Sequence, residues 1–240
     1  MKAVILAGGT GSRLMPLTSY INKHMLPVGK HPMIHHGIQS LQKAGIQDIL
    51  IITNRQSAGM FIQYFGSGHQ MKMSLAYRIQ EEAAGIADAL QLARPFINDG
   101  EKFLVLLGDN LFDEDLTPYV EDFQKQAEGA MVLLKQVDDP RRYGVPVFSP
   151  SGTILHIEEK PAEPESDLSV TGLYMYSTDV FQHIENISPS SRGELEITDL
   201  NNLYAAAGLL TYREISGWWI DAGTFESLRE ASARYWDKEY

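Results

Sequence analysis

A chain of 240 residues, 44% hydrophobic and 21% charged, is long enough for a sizeable buried core and ordinary in composition for a globular protein. Its formal net charge of −11 argues against nucleic acid or an anionic membrane as partner, because any basic patch would work against the overall field. The lack of cysteine excludes disulfides, a thiolate nucleophile and a zinc knuckle. No stretch approaches the roughly twenty apolar residues of a membrane span, so a cytoplasmic protein is expected.

In chain order, residues 2–7 read as a strand that opens onto Gly8-Gly9-Thr10-Gly11-Ser12-Arg13-Leu14. Glycines let a backbone turn tightly and gather N–H donors around an anion, and the guanidinium of Arg13 offers a planar fork to phosphate oxygens. A nucleotide triphosphate is the first ligand to consider. The loop is neither a Walker motif, since no Gly-Lys-Ser/Thr closes it, nor GxGxxG, since Leu14 stands where the third glycine belongs. The plain alternative is an ordinary strand-to-helix turn.

Lys23 follows ten residues after Arg13; together the two cations could balance a departing pyrophosphate, whereas Lys23 alone reads as a surface lysine. Ile34, Ile38 and Leu41 recur at helical spacing before Gly45, and Asp48–Thr53 is the next strand. His31, His35 and His36 suggest a shared metal, but the sequence offers no further ligand nearby to complete a zinc site. Strands are expected at 72–78 and 103–107, with a helix at 87–93 between them and another through Leu116, Tyr119, Val120 and Phe123.

The strand 103–107 runs into Gly108-Asp109-Asn110, placing an acid just past a strand end, where open parallel sheets bind ligands. There a carboxylate is a natural Mg²⁺ ligand, although Asp-Asn is also a common turn pair. Strands at 129–137, 145–148 and 153–158 lead to Glu158-Glu159-Lys160-Pro161, where a lysine could hold a phosphate and a glutamate could accept from sugar hydroxyls. A solvated strand end is the simpler account of that segment. Pro161–Asp167 reads as a loop, 178–184 and 196–207 as helices, and the region near 211–221 as strands. In Trp218-Trp219-Ile220-Asp221-Ala222-Gly223-Thr224 a second acid stands before a closing helix that Thr224 could cap, which would leave Asp221 spare for a metal. The alternation implies an α/β fold: a Rossmann-like, mixed and mostly parallel sheet with helices on both faces, as one domain over 1–240.

The ordered blocks Gly8–Leu14, Pro16–Thr18, Lys23–Pro27, Leu107–Asn110, Tyr143–Val145, Glu158–Pro161, Val170–Tyr174, Arg192–Asp199 and Trp219–Thr224 cover nearly the whole chain. In them the sequence closely resembles the glucose-1-phosphate thymidylyltransferases, within the wider sugar nucleotidylyltransferases. The resemblance implies the nucleotide-diphospho-sugar transferase fold, with a nucleotide half over 1–110 and a sugar-phosphate half over 111–240. It implies Mg²⁺-dependent transfer of a thymidylyl group from dTTP to glucose 1-phosphate, with no covalent enzyme intermediate. Asp109 and Asp221 would hold the metal, Arg13 and Lys23 the triphosphate, and Lys160 the sugar phosphate. Gly8, Gly9, Thr10, Gly11, Gln80 and Gly85 would contact the nucleotide, Gln80 at the base edge, while Asn110, Gly144, Glu159 and Val170 would surround the glucose.

The family pattern is broken at His24, where glutamine is usual, and at Glu81–Gly85, where a Pro-x-Gly sequence is usual. Many relatives continue into a helical C-terminal extension past the point where this chain stops, so a short form is expected, with feedback control and tetramer formation open. A homo-oligomer, in the simplest case a dimer built on residues 225–240, is expected. Two other readings compete: the same chemistry with UTP, and a nucleotide-sugar binding module without turnover. Retention of both acids and all three cations counts against the second.

Overall fold

The structure is a computed structural model that describes residues 1–238. Its first elements are β1 (Lys2–Ala7), β2 (Pro27–Val28), β3 (His31–Pro32), α1 (Met33–Lys43), β4 (Asp48–Asn54), α2 (Ala58–Phe65) and β5 (Ser74–Gln80). Then come α3 (Ile86–Gln91), β6 (Phe103–Leu107), β7 (Asn110–Asp113), α4 (Thr117–Lys125), β8 (Ala130–Gln136), β9 (Gly144–Phe148) and β10 (Ile154–Glu159). The chain closes with β11 (Leu168–Tyr176), α5 (Val180–Ile184), α6 (Ile197–Ala206), β12 (Leu210–Glu214), β13 (Trp218–Asp221) and α7 (Phe225–Tyr235).

Seven strands share one sheet in the order β12-β8-β11-β6-β1-β4-β5. Pairing is parallel for β1 with β4, β4 with β5 and β8 with β12, and antiparallel for β8 with β11. This is the mixed, mostly parallel α/β sheet that the alternation of apolar runs and helical patterns implies. By contacts the chain divides into two compact units, each assembled from more than one stretch.

The first unit comprises Met1–Ala83, Leu106–Thr117 and Gly217–Tyr240. Apolar side chains on both faces bury β1 and β4, which explains why neither strand alternates polar with apolar residues. Helix α1 buries Ile34, Ile38 and Leu41, and Gly37 lets it approach closely: a Cβ there would lie 2.9 Å from Leu106 Cδ2. Strands β7 and β13 form a separate antiparallel pair with Asn110 opposite Asp221. Thr224 and Ser227 cap α7 reciprocally, and Ala231 and Tyr235 of that helix pack with Val28, Met33, Leu111 and Ala222.

The second unit comprises Ala84–Val105 and Pro118–Ser216. Its centre is β8 and β11, the latter buried along nearly its whole length and shifted in register between Val170 and Tyr174. The hairpin of β9 and β10 is tied to α6 by Asn202, which accepts from the Ile157 N–H at 2.6 Å and donates to the Ile157 carbonyl at 2.9 Å.

Five elements lie outside the sequence expectations: the two-residue strands β2 and β3, and α2, β7 and β11. Strand β11 is buried on both faces, and its brief alternation over Leu168–Thr171 stops at Gly172 and gives way to a continuous run from Leu173, so its period-two signal is too short to mark a strand. Helix α2, only eight residues long, is rich in aromatic residues and has two exposed apolar side chains, Ile62 and Tyr64, which blur its stripe. The strands expected near 211–221 are β12 and β13, which belong to different sheets.

Candidate active site

In the first unit, β1 ends at Ala7, whose carbonyl accepts from Asn22 Nδ2 at 3.3 Å and Thr53 Oγ1 at 3.2 Å. The loop beyond it is glycine-rich for steric reasons. A Cβ on Gly8 would lie 2.9 Å from Gln80 Oε1, so two residues 72 positions apart meet only because one has no side chain. Gly11 has φ of +68°, and a Cβ there would lie 2.8 Å from Thr18 Cγ2 and 3.1 Å from Lys23 Cβ. Thr18 Oγ1 donates to the Gly11 carbonyl at 2.8 Å, and Asn54 Nδ2 to that of Gly8 at 3.1 Å. Beside the loop lies a cleft of about 360 Å³ whose walls include Gly9, Thr10, Thr18, Asn22, Asn54 and Ser57.

A turn of 3-10 helix at Ser12–Leu14 buries Leu14 and leaves Arg13 exposed, with its Nη2 3.7 Å from Asp221 Oδ2. The next such turn, Lys23–Met25, is capped by Asn22, whose Oδ1 accepts from the His24 N–H at 2.9 Å. It directs Lys23 Nζ to 2.5 Å from Asp109 Oδ2. Gly108 donates to the Leu6 carbonyl at 2.9 Å, and a Cβ on it would lie 2.8 Å from the His24 ring, so that glycine is required by the histidine. Ala222 N–H donates to the Asp109 carbonyl at 2.9 Å, extending the pairing of β7 with β13 and carrying Asp221 toward Asp109.

The two acids are perturbed in opposite directions. Burial alone would raise the Asp109 carboxyl, but the Lys23 ammonium, aided by hydrogen bonds from Lys23 and Asn110, holds it well below the usual carboxylate range. Burial first, and then the negative charge of Asp109, push Asp221 up to about 6. Asp221 Oδ1 is buried and accepts no hydrogen bond. Two carboxylates, one with an orphaned oxygen, fit a hard divalent ion that completes its shell with water and phosphate oxygens. Among the described residues no cluster of three His, Cys, Asp or Glu is placed to hold a metal by protein ligands alone. The His31 and His35 rings stack at 4.3 Å, and His36 Nε2 bonds to the Val28 carbonyl at 2.8 Å, so that trio is a packed cluster.

In the second unit, Gly144 and Glu159 are paired residues of β9 and β10. A Cβ on Gly144 would lie 3.0 Å from Ile157 Cγ2 and 3.6 Å from Glu159 Oε2. Glu159 accepts from Thr198 Oγ1 at 2.7 Å and pairs with Lys160 Nζ at 3.0 Å. Lys160 has φ of +49°, a left-handed conformation rare for lysine, fixed by its N–H donating to the Tyr143 carbonyl at 3.0 Å. Val170 lies buried on β11 at the register shift. Gly85 has φ of +108° and lies against the backbone of Leu195.

Sequence reasoning did not single out Asn22, Thr53, Asn54, Ser57, Trp219 or Thr198. All are polar or amphipathic groups at or near the ends of elements, and a polar residue next to an apolar run is the only signal any of them carries in the sequence.

The nucleotidyl transferase family model matches residues 2–238. A glucose-1-phosphate thymidylyltransferase of Neisseria meningitidis is 41% identical over 97% of this chain and 82% of its own, and one of Mycobacterium tuberculosis 37% identical over 97% and 81%. A Bacillus anthracis chain described as a glucose-1-phosphate thymidylyltransferase and solved with sucrose superposes with a TM-score of 0.95 at 51% identity, covering 100% of this chain and 97% of its own. A UDP-glucose pyrophosphorylase solved with UDP-glucose gives 0.88 at 26% identity, over 99% of each chain. The chain therefore belongs to the nucleotidyl transferase family, as a member of its glucose-1-phosphate thymidylyltransferase branch.

Proposed function

We propose that this protein transfers the thymidylyl group of dTTP to α-D-glucose 1-phosphate, giving dTDP-glucose and pyrophosphate with Mg²⁺ as cofactor. The observation that carries the reading is the convergence of Lys23, Asp109 and Asp221 beside the glycine loop Gly8–Arg13. A phosphate oxygen of the sugar phosphate attacks the α-phosphorus in line, and the bond from that phosphorus to the α,β-bridging oxygen breaks. The sugar phosphate is already a nucleophile, so alignment and charge stabilisation are the main demands on the protein.

Lys23 and Arg13 offset the charge that gathers on the leaving pyrophosphate. Asp109 and Asp221 hold the Mg²⁺, which when bound supplies Lewis-acid stabilisation of the phosphate oxygens. The amides of Gly8, Gly9, Thr10 and Gly11 cradle the triphosphate, Gln80 reads the base edge, and Gly85 lies along the nucleotide. Asn110, Gly144, Glu159 and Val170 receive the glucose, and Lys160 its phosphate.

Release of pyrophosphate, measured for dTTP, UTP, GTP and ATP against several sugar 1-phosphates, tests the assignment. Fastest turnover with dTTP and glucose 1-phosphate is the expected result. A preference for UTP would move the chain to the uridylyl chemistry, and tight dTDP-sugar binding without turnover would make it a binding module. We further infer cytoplasmic action, which fractionation tests; no helix of the described residues is long and apolar enough to cross a membrane. A homo-oligomer, in its simplest form a dimer, is supported by the exposed Phe225 and Trp236 along α7 and just past it. A solution mass of one chain by light scattering would overturn that inference.

A further inference from the structure

Asp109 is held on its second oxygen by a group that is itself held. Asn110 Nδ2 donates to Asp109 Oδ1 at 3.1 Å, while the indole Nε1–H of Trp219 donates to Asn110 Oδ1 at 2.8 Å. All three side chains are buried. An amide can turn end over end, and its two ends differ only in which is donor and which acceptor. With the indole present, turning it would set NH₂ against N–H and oxygen against carboxylate oxygen, two repulsions in a buried place. We propose that Trp219 is a positioning residue: its indole N–H locks the Asn110 amide so that the amide always donates to Asp109, which keeps that carboxylate turned toward the divalent cation.

The backbone explains how two short motifs build this arrangement. Trp219 and Asp221 lie two apart on β13 and so share a face, while Asp109 stands in the turn directly before Asn110, the first residue of β7. The antiparallel register sets Asp221 opposite Asn110 and Trp219 opposite Phe112. One strand thus supplies the second acid and the lock for the first. Lys23 on Oδ2 and Asn110 on Oδ1 then fix the plane of the Asp109 carboxylate from both sides.

The inference rests on the assignment of Asp109 and Asp221 to a divalent ion, and its test separates the two ideas. Mn²⁺ alone is titrated into the whole protein at pH 8, without nucleotide or sugar phosphate, and binding is read by water-proton relaxation. Trp219→Phe keeps a six-membered aromatic ring but deletes the N–H. Trp219→His keeps a five-membered ring with an N–H at the equivalent position but loses the fused benzo ring. The lock predicts that the phenylalanine variant binds Mn²⁺ about fivefold more weakly, the scale of one net hydrogen bond, and that the histidine variant stays within about twofold of wild type though it melts lower. Packing alone predicts the reverse order.

A double variant closes the cycle. Adding Trp219→Phe to Asn110→Ala should weaken Mn²⁺ no further than Asn110→Ala does by itself. Independent, multiplicative losses would overturn the lock, as would wild-type affinity in the phenylalanine variant. Should that variant fail to fold, the histidine variant decides alone: more than fivefold weaker binding in a folded protein overturns the proposal. A wild-type protein that takes up no Mn²⁺ would instead overturn the assignment of the two acids.

Discussion

Lys23 and Asp109 stand 86 positions apart in the chain and 2.5 Å apart in space, both nearly buried. The pair does two things at once. It neutralises a carboxylate that would otherwise be costly to bury, and it favours the ionised form of that carboxylate. Asp109→Asn removes the charge but still offers Lys23 an oxygen, so the fold should survive. Turnover at saturating Mg²⁺ should fall by at least ~100-fold, the scale of losing a charge-stabilising group at a phosphoryl centre. Turnover like the wild type, in a variant with an unchanged circular dichroism spectrum, would remove Asp109 from the cation site.

Asp221 carries the opposite perturbation, and its pH consequence has a definite sign. Burial and the neighbouring Asp109 charge raise it from the usual 3.8 to about 6, so between those values the native protein binds more protons than the unfolded chain. This contribution to stability is complete below the unfolded value and is lost as pH rises through 6. Asp221→Asn cannot ionise, and without metal it should therefore gain on the wild type by about 1–3 kcal/mol between pH 4 and pH 6.5, then hold a constant lead. Saturating Mg²⁺ should close the gap by stabilising only the wild type. Melting curves across that range check it; a difference independent of pH would mean that the carboxyl is not raised.

Much of this site is legible from residue order, and the reasons are local. Asp109 and Asp221 each stand where an apolar run ends, Asp109 in the turn after β6 of the main sheet, where such sheets present side chains to a ligand, and Asp221 at the end of β13 before α7. Glycines at 8 and 11 announce a backbone that must turn or make room. Support residues are another matter. Asn22 caps a 3-10 turn and binds the Ala7 carbonyl, Asn54 binds Gly8, and Trp219 binds Asn110. Each acts across a long sequence separation, so no spacing rule marks it. Strand β11 is obscured for another reason: its alternation lasts only from Leu168 to Thr171 before Gly172 and an unbroken run of large side chains, and both faces are buried.

Gly85 makes a separable claim about why a glycine is present. A Cβ there would lie 2.5 Å from the Leu195 carbonyl oxygen and 2.6 Å from its nitrogen, and φ is +108°. Backbone cannot swing aside as a flexible side chain can, and the two segments are tied together: Leu195 N–H donates to the Ala84 carbonyl at 2.8 Å and Ala87 N–H to that of Leu195 at 3.2 Å. Gly85→Ala should cost ~3 kcal/mol or more, combining backbone strain with a steric clash. Gly45→Ala is the control: φ there is +78° but nothing lies within 4 Å, so only the conformational cost of ~1 kcal/mol applies. Urea midpoints for the two variants should differ in that order, and equal midpoints would show that the approach to Leu195 relaxes freely.

Thr198 gives the sugar side a test of its own. Its hydroxyl donates to Glu159 Oε2 at 2.7 Å, Lys160 Nζ lies 3.0 Å from the other carboxylate oxygen, and Gly144 leaves the space beside them open. A glutamate held at both oxygens presents its remaining lone pairs in a fixed direction, as selective reception of sugar hydroxyls requires. Thr198→Val keeps the shape and deletes the donor, so the carboxylate loses one anchor while the nucleotide side is untouched. The KM for glucose 1-phosphate should rise about three- to tenfold, the equivalent of one hydrogen bond to a charged group, with the KM for dTTP unchanged. Thr198→Ser restores the hydroxyl and should return the KM to near the wild-type value. A rise shared equally by both substrates, or no rescue by serine, would mean that Thr198 supports the fold of α6 against β10 and does not orient Glu159.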